Sequence, residues 1–252
     1  MKKTLIALLS LSGVAFSATV GEIDTTDATL KSYFNFDEGN TRTAGSLTWQ
    51  ERPVWNADGY GVSTATNAHP YTTGAGLKAS TGFTVSFDIN NAQNGTLLSM
   101  TTGNMSQAWR SLSITMTDGT VSAQFHGNTA GAVTYAIANP DVTWTTLTLV
   151  GSATGNTLAL DFYVDGNYIG TNSTNNASNF VGEIINKMQF GYFGDSSKSA
   201  PTNIDNILVY NRALTADEVM ALTVEPTTVP EPATATLSLL ALAGLAVRRR
   251  RK

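Results

Sequence analysis

Between residues 30 and 210, hydrophobic and polar residues alternate with a period of two over much of the chain. In Phe83-Thr-Val-Ser-Phe-Asp-Ile89, the residues Phe83, Val85, Phe87 and Ile89 point one way and Thr84, Ser86 and Asp88 the other. That predicts a half-buried strand of an antiparallel sheet. Leu158 to Val164 repeats the pattern through Leu160, Phe162 and Val164, and Asp165-Gly166-Asn167 turns it into Tyr168-Ile169-Gly170. Ser111 to Thr117 and Thr120 to His126 flank Asp118-Gly119, a two-residue hairpin signal because both central positions need positive φ. Leu30 to Phe36 predicts an opening strand with Leu30, Phe34 and Phe36 on one face. In Thr143 to Val150 the parity slips between Trp144 and Leu147, which predicts a bulge.

Shorter strands are predicted at Leu47 to Trp49, Thr96 to Met100, Val133 to Ala138, Lys187 to Phe193 and Ile204 to Tyr210. The rest of Asn40 to Gly76 reads as loop, and so does the polar run Asn172 to Asn179. The total is about ten to twelve short strands with almost no helix. One helix signal comes late, in Leu214 to Leu222. Thr215 and Glu218 form a capping box, and Leu214 and Val219 can staple its start. At about two turns it depends on tertiary packing.

The two ends follow other patterns. Lys2 and Lys3 precede an apolar stretch from Leu5 to Val14 and small residues at Ala15, Ser17 and Ala18, which reads as a signal peptide over residues 1–17. At the other end, Pro230-Glu231-Pro232 is followed by an apolar run from Ala233 to Val247 and by Arg248 to Lys252. The prolines keep the triplet extended. The apolar run makes roughly 22 Å of helix, short of the ~30 Å hydrocarbon core, and the basic block stays on the cytoplasmic side. This arrangement resembles the PEP-CTERM sorting signal of Gram-negative bacteria over residues 230–252. The resemblance implies export, a transient stop in the inner membrane through residues 233–247, cleavage by an exosortase-type enzyme, and delivery to the cell envelope or outer surface.

Residues 18–222 then form one domain, joined to the tail by a Pro/Thr linker at 223–229. Seven of the 15 cations and one of the 19 anions lie in the two terminal segments, leaving 8 against 18 and a net charge near −10. That balance argues against nucleic acid as a partner. With no Cys, the exported domain must rely on core packing.

Three stretches carry a second resemblance. They are Trp144-Thr-Thr-Leu-Thr-Leu149, Leu160 to Gly170, and Ile204 to Tyr210 running on to Val219; Tyr33 to Gly39 and Phe83 to Ile89 match the opening strands. Together they look like the concanavalin A-like, laminin-G-like jelly roll. The implied fold is all-β, a sandwich of two curved antiparallel sheets with the first and last strands adjacent, plus one short C-terminal helix. Asn40 to Gly76 has no clean counterpart in that family. Members bind sugars, proteins or calcium, or hydrolyse glycans, and fold alone does not choose.

The hydrolases of this fold carry Glu-x-Asp-x-x-Glu on one strand, and this chain has no such motif. Asp161 and Asp165 would lie about 13 Å apart along a strand, too far for a glycosidase pair. Gly-x-Ser-x-Gly is absent, and the two histidines, His69 and His126, are isolated. Calcium suits the abundant oxygen donors. The implied adjacency of the terminal strands brings Asp37 to Asp205, with Asn203 assisting. Sugar stacking would use the loop aromatics Trp55, Tyr60, Tyr71 and Trp109, with Arg110 adding a donor. Trp49 and Trp144 are expected in the core. The function expected is a non-catalytic envelope module recognising glycans or extracellular polymer. The alternatives are a structural or adhesive protein recognising another protein, and a divergent glycoside hydrolase.

Overall fold

The computed structural model describes residues 23–37, 43–49, 54–63, 71–102, 111–125, 131–174, 184–191 and 200–223. The signal peptide, His69, Trp109, Arg110, His126, the linker beyond Thr223 and the sorting tail lie outside them. In chain order the first strands are β1 (Leu30–Phe34), β2 (Ala44–Gly45), β3 (Val54–Asn56), β4 (Tyr60–Ser63), β5 (Tyr71–Thr72) and β6 (Leu77–Lys78). They are followed by β7 (Phe83–Asn90), β8 (Gly95–Thr101), β9 (Ser111–Thr117), β10 (Thr120–Phe125) and β11 (Val133–Ala136). The last are β12 (Thr145–Thr154), β13 (Thr157–Val164), β14 (Asn167–Thr174), β15 (Ile184–Ile185), β16 (Lys187–Phe190) and β17 (Thr202–Tyr210), before helix α1 (Ala216–Ala221).

Two antiparallel sheets pack face to face. The larger runs β14-β13-β12-β7-β17-β1-β2, with the β3–β4 hairpin added to the free part of β17; the smaller runs β11-β10-β9-β8-β16-β5. Their inner faces meet in one apolar core that includes Phe83, Val85, Phe87, Leu98, Met100, Leu112, Ile114, Leu160, Phe162, Met188 and Phe190. The alternation in Phe83 to Ile89 places its four apolar residues in this core, as its period requires. The Asp118-Gly119 and Asp165-Gly166 turns both have positive φ, 47° and 76° in the first, 49° and 74° in the second.

Several expectations are corrected. Trp55, Tyr60 and Tyr71 sit on the short strands β3, β4 and β5 rather than in loops. Leu47 to Trp49 is not a strand; the nearby strand is β2. No register shift occurs where β12 pairs with β7 or β13, so the parity slip at Trp144 is no bulge. Trp144 precedes the strand and turns to the sheet's outer face, where its ring meets Tyr60. Leu30 and Phe34 are split between two apolar clusters because β1 has its irregularity between Leu30 and Ser32. β14 continues to Thr174, into the stretch expected as loop.

The outer face of the large sheet has its own small core. Leu30, Val150, Tyr163, Leu208 and Tyr210 receive Leu214, Val219 and Leu222 from the helix segment. The capping box forms as its spacing predicts: Glu218 N donates to Thr215 Oγ1 at 3.3 Å and Thr215 N to Glu218 Oε2 at 2.8 Å. Arg212 binds Glu218 and Asp27 and lies over the Tyr210 ring, tying the segment to the sheet. Its guanidinium holds the Glu218 carboxyl down at about 2.

Candidate functional site

Two polar regions lie on the outer faces of the two sheets. The first is at the far end of the large sheet from the helix. Asp88 on β7 pairs in register with Asp205 on β17 and with Thr146 on β12, so all three side chains share the outer face. Asp88 is fully engaged: Thr146 Oγ1 donates to one oxygen at 2.5 Å and Asn206 Nδ2 to the other at 2.7 Å. Asn206 reaches it through a bulge in β17, with φ at 49°. Asp205 is only 1% exposed, and among the described residues its carboxylate accepts one hydrogen bond, from Asn206 N at 2.8 Å. Burial pushes the Asp205 carboxyl up to about 9, with the charges of Asp88 and Asp37 adding to the effect. Burial likewise raises Asp88, to about 6, against the pull of its two donors.

β1 and β17 do pair, which brings Asp37 within electrostatic reach of Asp205. Asn203 faces Asn90 across the strands, and its Nδ2 donates to Asn90 Oδ1 at 3.2 Å. Tyr60, flanking β17, and Trp144, flanking β7, meet edge to face at 5.6 Å across the end of these two strands. Trp55 donates its indole N–H to the Phe36 carbonyl at 2.9 Å. Calcium takes six to eight oxygens. Asp37, Asn203 and Asp205 offer the right kind of donor, but no three carboxylate or imidazole groups among the described residues come together to hold a metal.

The second region was not singled out in the sequence. On the small sheet the register aligns Tyr71, Gln189, Ser99, Ser113 and Gln124 in one row across β5, β16, β8, β9 and β10. Their neighbours Met188, Met100 and Leu112 face the inner core, so the row lies on the outer face. Ser99 and Ser113 are 0% and 2% exposed, yet neither hydroxyl has a hydrogen-bond partner among the described residues. An unpartnered buried hydroxyl costs about 1–3 kcal/mol, so a pair of them facing each other calls for a function. Tyr71 closes the row, with the Lys187 ammonium 5.7 Å from its ring centre. Trp109 and Arg110 belong to the segment joining β8 to β9 in the same sheet, outside the described residues. Of the four aromatic candidates, then, the structure brings Tyr71 to this row and places Trp55 and Tyr60 on the other sheet.

Two antiparallel sheets packed face to face, with polar outer faces, define the class as a lectin-type β-sandwich. Residues 61–220 match the profile of the concanavalin A-like lectin/glucanases superfamily, and the chain belongs to that family. Residues 228–252 match the PEP-CTERM protein-sorting motif, which marks the chain for export and for sorting to the cell envelope.

Similar solved structures share the fold at low identity. Domain 4 of AbnA, a GH43 extracellular arabinanase from Geobacillus stearothermophilus solved with arabinotriose, is 17% identical with a TM-score of 0.56. The match covers 78% of this chain and 98% of that one. The botulinum neurotoxin serotype G binding domain is 13% identical with a TM-score of 0.53, over 75% of this chain and 49% of its own length. The chain thus spans about half of that toxin domain. A search of curated proteins returns no match. No helix of the described residues is long and apolar enough to cross a membrane.

Proposed function

We propose that this chain is a non-catalytic module of the cell envelope that recognises a glycan or extracellular polymer on the outer face of its six-stranded sheet. The observation that carries this reading is the facing pair Ser99 and Ser113, buried without hydrogen-bond partners in a row that ends on Tyr71. A sugar offers both halves of what such a row needs: hydroxyls for the serines and an apolar ring face for an aromatic. Trp109 and Arg110 are further sugar-contacting residues in the same reading. AbnA domain 4, solved with arabinotriose, lends support by its shared fold. Residues 1–17 direct export, residues 233–247 hold the chain transiently in the inner membrane, and an exosortase-type enzyme cleaves near Pro230 to Pro232.

A glycan array with the mature protein tests the reading. Binding of a glycan that falls about tenfold in Ser99→Ala and Ser113→Ala supports it, since each lost hydrogen bond contributes roughly 0.5–1.5 kcal/mol. Absence of binding to any glycan, or binding indifferent to both variants, would reject it. Calcium is proposed at Asp37, Asn203 and Asp205, where it would neutralise the buried carboxylate. A thermal melt with and without chelator checks this, and an unmoved Tm means no such site.

A further inference from the structure

We infer that the seam between the edges of the two sheets is a subsite for a carboxylate-bearing sugar, with Lys31 as the partner of the carboxylate; this rests on the glycan reading above. The two seams of the sandwich differ. On one side β14 and β11 close against each other so tightly that a Cβ on Gly170 would lie 3.1 Å from Val133 Cγ1. On the other side, between the β1–β2 edge and the β5 edge, the seam holds a cavity of about 240 Å³. Its walls come from Lys31 on β1, from residues 46–48 after β2, and from residues 73–75 just beyond Tyr71 on β5.

The lining has the chemistry of a sugar site. Buried Leu47 and Ala75 give an apolar floor, and the hydroxyl residues Ser46, Thr48 and Thr73 stand exposed around it. The wall is tied to the β1 backbone: the Lys31 carbonyl accepts from Ser46 N at 2.9 Å and Leu47 N at 2.8 Å. The volume falls below the ~300–1,000 Å³ of drug-sized sites and suits a single ring.

Charge then selects the ligand. Lys31 is half-buried and makes no ion pair with any described residue, although anions outnumber cations 18 to 8 in the mature chain. An ammonium with no ion-pair partner among the described residues of so acidic a domain fits a ligand that brings one negative charge. A doubly charged phosphate would meet one cation and a repelling field. A uronic acid unit of an extracellular polymer combines the single carboxylate, the ring and the hydroxyls.

Calorimetric titration of the mature protein with an oligouronate, and with a neutral oligosaccharide of the same length, tests the assignment. Lys31→Met keeps the apolar stem and removes the charge. Gly74→Phe adds a ring at a cavity-lining position whose Cβ meets nothing within 4 Å, so the backbone can accept it without a clash at Cβ. Both variants should lose oligouronate affinity roughly tenfold or more, the scale of a hydrogen bond to a charged group, with unchanged melting temperatures. Neutral-sugar affinity should stay constant in Lys31→Met. Oligouronate binding indifferent to both variants overturns the subsite, as does oligouronate binding no tighter than the neutral sugar. If only the neutral sugar binds, the glycan reading survives and the acidic subsite falls. If neither binds, the glycan reading falls and takes the subsite with it.

Discussion

The outer faces of the two sheets solve the same problem in opposite ways. Both carry polar side chains at every second position, and both bury them. On the large sheet the chain supplies the partners itself. Ser86 and Thr148 share a hydrogen bond at 2.7 Å, Thr84 Oγ1 donates to the Arg212 carbonyl and accepts from Leu214 N, and Asp88 has two donors. The helix segment and the Tyr60–Trp144 pair then cover that face. On the small sheet Ser99 and Ser113 are left without partners. The large face is satisfied from within, and the small face, among the described residues, is not.

Variants can break that contrast. The largest effect is expected on the finished face: Leu222→Ala empties part of the outer apolar cluster and should cost about 2–3 kcal/mol, roughly 5–10 °C in Tm. Glycan affinity should not change, and a loss there would mean that the two faces are coupled. Next, Thr84→Val strands the Leu214 N–H and the Arg212 carbonyl together, for about 2 kcal/mol by chemical denaturation.

A third test uses pH. Asp205 and Asp88 are raised to about 9 and about 6 by burial, so the folded state holds their protons more tightly than the unfolded chain does. Their contribution is therefore full below about pH 4, the unfolded carboxyl value, and is lost as pH rises through 6 and then 9. In chelator, the denaturation midpoint should fall between pH 5 and pH 9 and Asp205→Asn should flatten that slope; an equal slope in both proteins refutes it. The smallest effect belongs to the small sheet. Ser99→Ala and Ser113→Ala remove buried hydroxyls that have no partner among the described residues, so each should raise stability by about 1 kcal/mol. A destabilisation would show that the row is structural.

The fold was legible wherever one face of a strand is apolar and the other polar. Phe83 to Ile89 and Leu158 to Val164 announced their faces by alternation, and Thr215 with Glu218 announced the helix start. The β3–β4 hairpin was missed although Asp58-Gly59 marks its turn. Its strands are three and four residues long and take their order from pairing with β17, which no local pattern reveals. Trp144 misled because an aromatic beside a strand suggests the core, while its parity put it on the outer face with Tyr60. The Asp37–Asp205 approach followed from the terminal strands being neighbours. Ser99, Ser113 and Gln189 become one row only through the register of β8, β9 and β16. The available signal was their place between core residues, as in Leu98-Ser99-Met100 and Leu112-Ser113-Ile114.

One feature of the large sheet bears on how the chain is delivered. β17, the last strand, lies in the interior of the sheet, bonded to β7 on one side and to β1 and β4 on the other. Until residues 202–210 are available, the sheet is three separate pieces, β14-β13-β12-β7, β1-β2 and β3-β4, each with an unpaired edge. Pairings this distant in sequence form late and slowly. An export machine that threads its cargo as an extended strand therefore has almost the whole domain to work with before folding can compete. The keystone comes last, 20 residues ahead of Pro230, so in a chain exported from its N-terminus the sheet would close only near the end of transit.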